Sequence, residues 1–249
     1  MTISQELEYT ILIILGFFSE ILGTMAGFGS STIFLPLASY LVEFKTALVL
    51  VAIFHLFGNV SRITFFRHGL DWNILLIFGI PSFVLSLIGA TLVGNLSQTF
   101  LKLVLGIFLI VISALFLIKP RLTIPANNKS LILGGGISGF IVGLIGTGGA
   151  LRASFLTGLK MEKERYIATS AVVALGTDAT RIPYYISSGF LPEQYYFLIP
   201  FLFISAFLGS YLGRKIVTRI DKEKFKKMVL IAIIFVSIKF ILDGITASL

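Results

Sequence analysis

The chain has no cysteine, and only two histidines, one tryptophan and twelve acidic residues in 249. A disulfide framework, a thiolate nucleophile and a cysteine-ligated zinc site are therefore excluded. Charge is also scarce. Asp, Glu, Lys and Arg make up 13% of the residues, against about 25% in an ordinary soluble domain. Hydrophobic residues reach 56% and mean hydropathy is +0.98, which excludes a disordered chain. A soluble domain of this length could not hide so much apolar surface in one core. The class that remains is an integral membrane protein, with lipid against its outer surface. The net charge of +8 could suggest a nucleic-acid partner. Most of the Lys and Arg, however, sit in short stretches between apolar spans, which is the pattern of membrane orientation. The chain begins with Glu6 and Glu8 rather than a basic region, and no A-x-A-like site follows the first apolar stretch. That stretch reads as a retained span, not a cleaved signal.

Apolar segments run over 9–27, 30–42, 46–66, 73–94, 99–118, 130–148, 151–159, 166–188, 194–213 and 226–246. A straight crossing needs about 20 residues, so 30–42 and 151–159 are too short. Each follows a knot of small residues, Gly27-Phe28-Gly29-Ser30-Ser31 and Gly146-Thr147-Gly148-Gly149. A helix–break–helix hairpin is expected at both places.

A shift of 119 residues lays 27–63 on 146–182 without a gap. Gly27, Gly29, Leu37, Glu43, Ala52, Leu56, Arg62 and Ile63 fall on Gly146, Gly148, Leu156, Glu162, Ala171, Leu175, Arg181 and Ile182. Asn59 meets Asp178, Ser61 meets Thr180 and Pro81 meets Pro200. Apolar bias explains some of these matches, but not an Arg on an Arg inside two apolar spans. An internal duplication follows, with a first repeat over 1–119, a linker over 120–128 and a second repeat over 129–249. If 9–42 returns to its starting side, each half crosses an odd number of times and the halves are inverted. Arg67, Lys119, Arg121, Lys129, Lys160, Lys163, Arg165 and the seven basic residues from Arg214 to Lys227 then share a side, 14 against Lys45 and Lys102. If 9–42 crosses once, the split is 12 to 4. The positive-inside rule favours inversion, with both termini outward.

Polar groups inside a membrane are costly and each needs a reason. Arg62 lies 16 residues after Thr46, about 24 Å along a core about 30 Å thick. Snorkelling would account for one such Arg, but not for Arg62 and Arg181 at matched positions. Two guanidinium forks facing a cavity would match the oxygens of an oxyanion. Asn59 and Asp178 stand three residues before those arginines and share their helix faces. Asp178 can neutralise Arg181, whereas Asn59 leaves net positive charge at Arg62. The knots offer backbone N–H groups and helix N-termini to an anion; close helix packing through small residues is the other reading. Substrate-binding candidates are therefore Gly27, Gly29, Ser30, Ser31, Gly146, Thr147, Gly148, Gly149, Asn59, Arg62, Asp178 and Arg181. Arg152, three residues past the second knot, either adds an asymmetric positive charge or snorkels. Glu20 and Asp178 are candidates for proton coupling, and Glu20 is equally a salt-bridge partner for an Arg. His55 reads as a hydrogen-bonded packing residue, and Lys239 as a snorkelling one.

Enzyme signatures fare poorly. There is no H-E-x-x-H, no G-x-S-x-G elbow and no Walker A, so no enzymatic activity, cofactor or metal is expected. Discontinuous helices at matched places in two halves point instead to a transporter's binding site.

The duplicated knots, each followed by a short apolar segment, then Glu43 or Glu162, then Asn59-x-x-Arg62 or Asp178-x-x-Arg181, resemble the sulfite exporter TauE/SafE family of permeases. The first knot is poorer in glycine than is usual there, and Phe155 stands where the first half has Pro36. The resemblance implies transport of sulfur-containing anions such as sulfite or organosulfonates across a prokaryotic plasma membrane. The expected fold is an all-α polytopic membrane protein of two homologous, inverted repeats, about five helical segments each. The expected mechanism is alternating access around a site between them. An anion channel of the same architecture, or a carrier of other small organic anions, is the alternative.

Overall fold

The computed structural model describes residues 4–27, 29–65, 69–120, 122–125, 127–159, 161–216 and 220–246. Phe28, Arg67, Arg121 and Lys160, named above, and Arg219, one of the seven basic residues from Arg214 to Lys227, lie outside the described residues. No strand occurs among the described residues. The helices are α1 (Gln5–Ala26), α2 (Ser31–Ala38), α3 (Phe44–Phe65), α4 (Trp72–Val93), α5 (Gln98–Ile118), α6 (Asn128–Ile145), α7 (Gly149–Leu156), α8 (Lys163–Ser187), α9 (Leu198–Ile216) and α10 (Lys222–Thr246). Each answers one apolar segment of the sequence. Most starts move outward by one to four residues, because backbone hydrogen bonding carries a helix on into its polar flank, whereas most ends fall one to four residues short. The second-half segment 194–213 instead begins later, at Leu198, after a 3-10 turn over Glu193–Tyr195 that follows Pro192.

Six of the described helices are long and apolar enough to cross a membrane: α1, α3, α4, α5, α6 and α10. The helix α8 carries Lys163, Glu164, Arg165, Asp178 and Arg181 and is sheltered between α3 and α4. Outward-facing residues of α4, α5 and α10, such as Val84, Val111 and Phe235, are exposed and apolar, as a lipid-facing surface requires.

Local sequence sets the breaks. Gly27 ends α1 at φ 82° and Gly146 ends α6 at φ 76°, each donating its N–H back into the last turn, to Gly23 O and Val142 O. This left-handed cap suits glycine because it has no Cβ. In α4, a π-helical turn over Leu75–Gly79 precedes Pro81, whose ring and missing N–H disturb the preceding turn. Pro200 lies in the first turn of α9, where no intrahelical donor is lost.

Glycines let helix backbones meet. A Cβ at Gly135, Gly139 or Gly143 of α6 would stand 2.2, 2.1 and 1.9 Å from the carbonyl oxygens of Phe78, Ser82 and Ser86 on α4. A Cβ at Gly209 or Gly213 of α9 would stand 2.9 Å from Phe17 O or 3.1 Å from Ile21 O of α1, a looser approach of the same kind. Such four-residue spacing is the small-residue stripe of membrane helix pairs.

The two ends of the bundle differ. At the linker end, Lys226 Nζ donates to Pro120 O at 3.4 Å and Ile124 N–H donates to Ser154 O at 2.9 Å. At the far end, Phe44 N–H donates to the Gln98 side chain at 2.7 Å, Lys45 Nζ lies 5.3 Å from the Phe190 ring, and Tyr195 donates to Glu8. So α1 starts at the far end and α2 brings the chain back there to begin α3. Likewise α6 starts at the linker end and α7 returns to it. Helices α3 and α8 run antiparallel, Lys45 at the start of one lying beside Phe190 just past the end of the other. The described basic residues of the set of 14 lie on elements' linker ends, and Lys45 and Lys102 lie at the far end.

Candidate anion site

A cavity of about 530 Å³ opens at the linker end between α1, α3, α7, α8, α9 and α10. That lies within the size range of small-molecule sites, about 300–1,000 Å³. Exposed Lys163, Glu164, Arg214 and Glu223 stand at its mouth. Gly27, Gly29, Asn59, Arg62, Gly149, Arg152 and Ser170 line its interior. Five cationic side chains line it (Arg62, Arg152, Lys163, Arg214 and Lys226) against two carboxylates. Thr32, in the first turn of α2, meets Thr147 of the second knot, their Oγ1 atoms 2.9 Å apart. The Phe34 and Phe54 rings, 5.0 Å apart, fill the space beside them.

The basic residues of the cavity are not equivalent. Arg62, in the last turn of α3, donates from Nη2 to Glu20 Oε1 at 2.5 Å and to Thr24 Oγ1 at 3.4 Å, and from Nη1 to Asn59 Oδ1 at 3.0 Å. Its side chain keeps 14% exposure, toward the cavity, while Glu20 is fully buried. The expected surplus of charge at Arg62 is therefore absent: Glu20, from a different helix, supplies the carboxylate that Asn59 does not. Arg152 is 7% exposed and its Nε donates to Ser170 Oγ at 3.1 Å. Among the described residues no carboxylate pairs with it. It stands in the first turn of α7, whose first residue, Gly149, lines the same cavity, at the positive end of the helix dipole. An unpaired buried guanidinium is costly unless an anion compensates it.

Arg181 stands outside the cavity lining. It is fully buried and donates from Nε and Nη2 to Asp178 Oδ1 at 3.0 and 2.7 Å, and from Nη1 to Val142 O at 2.9 Å. The other oxygen of Asp178 lies 2.8 Å from His55 Nδ1. Tyr185 donates to Gly143 O. Together these groups tie α8 to α3 and to the last turn of α6. The two repeat-related arginines thus have opposite surroundings: Arg62 opens to the linker-end cavity, and Arg181 is locked behind the knots.

The knots are also unequal. Gly27, Gly29 and Gly149 line the cavity, while Gly146, Thr147 and Gly148 do not. A Cβ at Gly148 would meet Val142 Cγ2 at 2.6 Å and Ser138 O at 3.0 Å, so the closeness there is to α6. At Gly146 a Cβ would meet Leu48 and Leu35. Ser30 and Ser31 are buried, and Ser30 Oγ has no partner. Sequence reasoning treated Lys163, Arg214 and Lys226 as orientation charges only. Their shared side in the 14-to-2 split was the signal that could have placed them around one mouth.

The model of the sulfite exporter TauE/SafE family matches residues 12–240. The chain belongs to that family. A TauE/SafE relative from Methanocaldococcus jannaschii, described as a probable membrane transporter protein, is 30% identical over 256 residues, covering 92% of this chain and 95% of that one. No solved structure matches. Membership of the TauE/SafE family makes this a membrane transporter with several spans, and the cationic cavity is where its site is to be sought.

Proposed function

We propose that this TauE/SafE protein is a secondary carrier for a small sulfur-containing oxyanion, sulfite or an organosulfonate, in a prokaryotic plasma membrane. The single observation behind the reading is Arg152, a buried guanidinium without a carboxylate, at a helix N-terminus in a cavity with surplus positive charge. A planar fork of donors at the start of a helix suits the oxygens of a sulfite or sulfonate.

A carrier is proposed over a channel because Thr32, in the first turn of α2, and Thr147 of the second knot close on each other with both side chains buried. The antiparallel course of α3 and α8 supports inverted halves, since equivalent helices would run parallel about an axis along the membrane normal. In the opposite state the contact between Thr32 and Thr147 opens. A proton is the proposed coupling ion, and the lipid bilayer surrounds the bundle.

Purified protein should be stabilised against heat by sulfite and methanesulfonate in a saturable manner, and less by acetate, because a bound ligand stabilises by mass action. Proteoliposomes should show counterflow of the same anions. Stabilisation by none of them would remove the substrate class, and flux without counterflow would favour the channel.

A further inference from the structure

Glu20 is the one carboxylate in the bundle that is both fully buried and half satisfied. Oε1 accepts from Arg62 and from Thr24, at 2.5 and 3.3 Å, whereas Oε2 has no partner. Two glycines make its berth: a Cβ at Gly58 would stand 2.8 Å from Oε2, and one at Gly209 would stand 2.9 Å from Glu20 Cβ. Asp178, the other buried carboxylate, is held by Arg181 on one oxygen and His55 on the other, so its charge is neutralised without any ligand. Glu20 depends on Arg62 alone, and Arg62 is the group that faces the cavity.

Few other charges reach Glu20. On α3, Arg62 is its only cationic contact, and His55 is committed to Asp178. On α9, Gly209 packs against it, and the first charge on that helix is Arg214, at the cavity mouth. On α2 the nearby polar residues are uncharged. On α7, α8 and α10 the charges facing the cavity are Arg152, Lys163, Glu164, Glu223 and Lys226, and none forms an ion pair with Glu20.

We infer that Glu20 is the proton-binding site of the transport cycle: an oxyanion entering the cavity takes Arg62 from Glu20, and the abandoned carboxylate takes up one proton. The inference rests on the oxyanion reading above. The driving force is the cost of an uncompensated charge in a dry interior. A guanidinium cannot lose its proton, so Arg62 changes partner and Glu20 changes charge. No covalent bond to the anion forms, and the proton comes from water in the cavity. The 119-residue shift puts Gly139 opposite Glu20, so one half alone carries the device and one proton accompanies each anion.

Methanesulfonate is the probe of choice, since it does not titrate near neutral pH and any proton change belongs to the protein. Added to wild-type protein in weak buffer, it should draw about one proton per anion bound. Where Glu20 is ionised in the free protein, affinity should fall about tenfold per pH unit, the slope that linkage to one proton requires. In Glu20→Gln, proton uptake should vanish and the pH slope should flatten, with tighter binding because Arg62 is already free. Replacing sodium by choline should change nothing. In the infrared difference spectrum on binding, a protonated carboxyl band should appear in wild type and shift in Glu20→Asp, which does not require the Gln variant to fold. Binding without proton uptake, equal uptake in Glu20→Gln, or an unshifted band overturns the assignment of Glu20. A sodium requirement also overturns it. No methanesulfonate binding at all, by heat stabilisation or counterflow, overturns the oxyanion reading itself.

Discussion

Arg152 and Arg181 are both buried guanidinium groups, but their surroundings make opposite demands. Arg181 has a carboxylate, a carbonyl and a neighbouring Tyr185 ring 5.8 Å away. Arg152 has one serine hydroxyl. Replacement by Lys keeps the charge and removes the fork, so the two variants should fail differently. Arg152→Lys should weaken methanesulfonate binding by about 10- to 150-fold, from the loss of one charge-assisted bond of about 1.5–3 kcal/mol. Arg181→Lys should lower the unfolding temperature while leaving affinity closer to wild type, because the bonds it loses, to Asp178 and Val142 O, lie outside the cavity. Titration of both purified variants, with thermal melts beside it, separates the two roles. Near-normal affinity in Arg152→Lys would remove that residue from the site.

At the scale of elements, glycine carries most of the design. The stripe Gly135, Gly139 and Gly143 lets α6 lie against the carbonyls of α4, and Gly148 lets the second knot fold back on α6. Gly139→Val and Gly148→Val should each cost about 1–3 kcal/mol as overpacking, with Gly139→Val unable to relax because its neighbour is backbone. Thermal unfolding in detergent measures both. A Gly148→Val protein of normal stability but without transport would return that residue to the ligand. The apolar spans, the broken hairpins and the matched arginines were all legible in the sequence, because hydropathy and glycine position fix them locally. The partners of those arginines were not. Glu20 stands 42 residues from Arg62 and His55 stands 123 from Asp178, and only helix packing brings them together. The neighbours three residues away, Asn59 and Asp178, were visible, and they suggested a charge balance at Arg62 that α1 reverses.

Over the whole molecule, pairings recur with the halves exchanged. The first helix of one half packs on the fourth segment of the other in both directions, α1 with α9 and α6 with α4, while α3 meets α8 and α5 meets α10. Such exchange makes the fourth segments part of the opposite half's support, and the proposed rocking of one half against the other would slide glycine-lined contacts. It also fixes what the two surfaces should expose. The linker and the cavity mouth share one end, and by the positive-inside rule the basic residues there predict that this end faces the cytoplasm. Because the chain has no native cysteine, single cysteines report access without background. Thr123→Cys in the linker and Ser170→Cys in the cavity should resist a membrane-impermeant maleimide applied to intact cells and react after permeabilisation, whereas Ser188→Cys at the far end should react at once. Methanesulfonate should slow labelling at position 170 and not at 123. Labelling of Thr123→Cys from outside intact cells would reverse the orientation, and labelling of position 170 from both sides at equal rates would replace alternating access by a continuous pore.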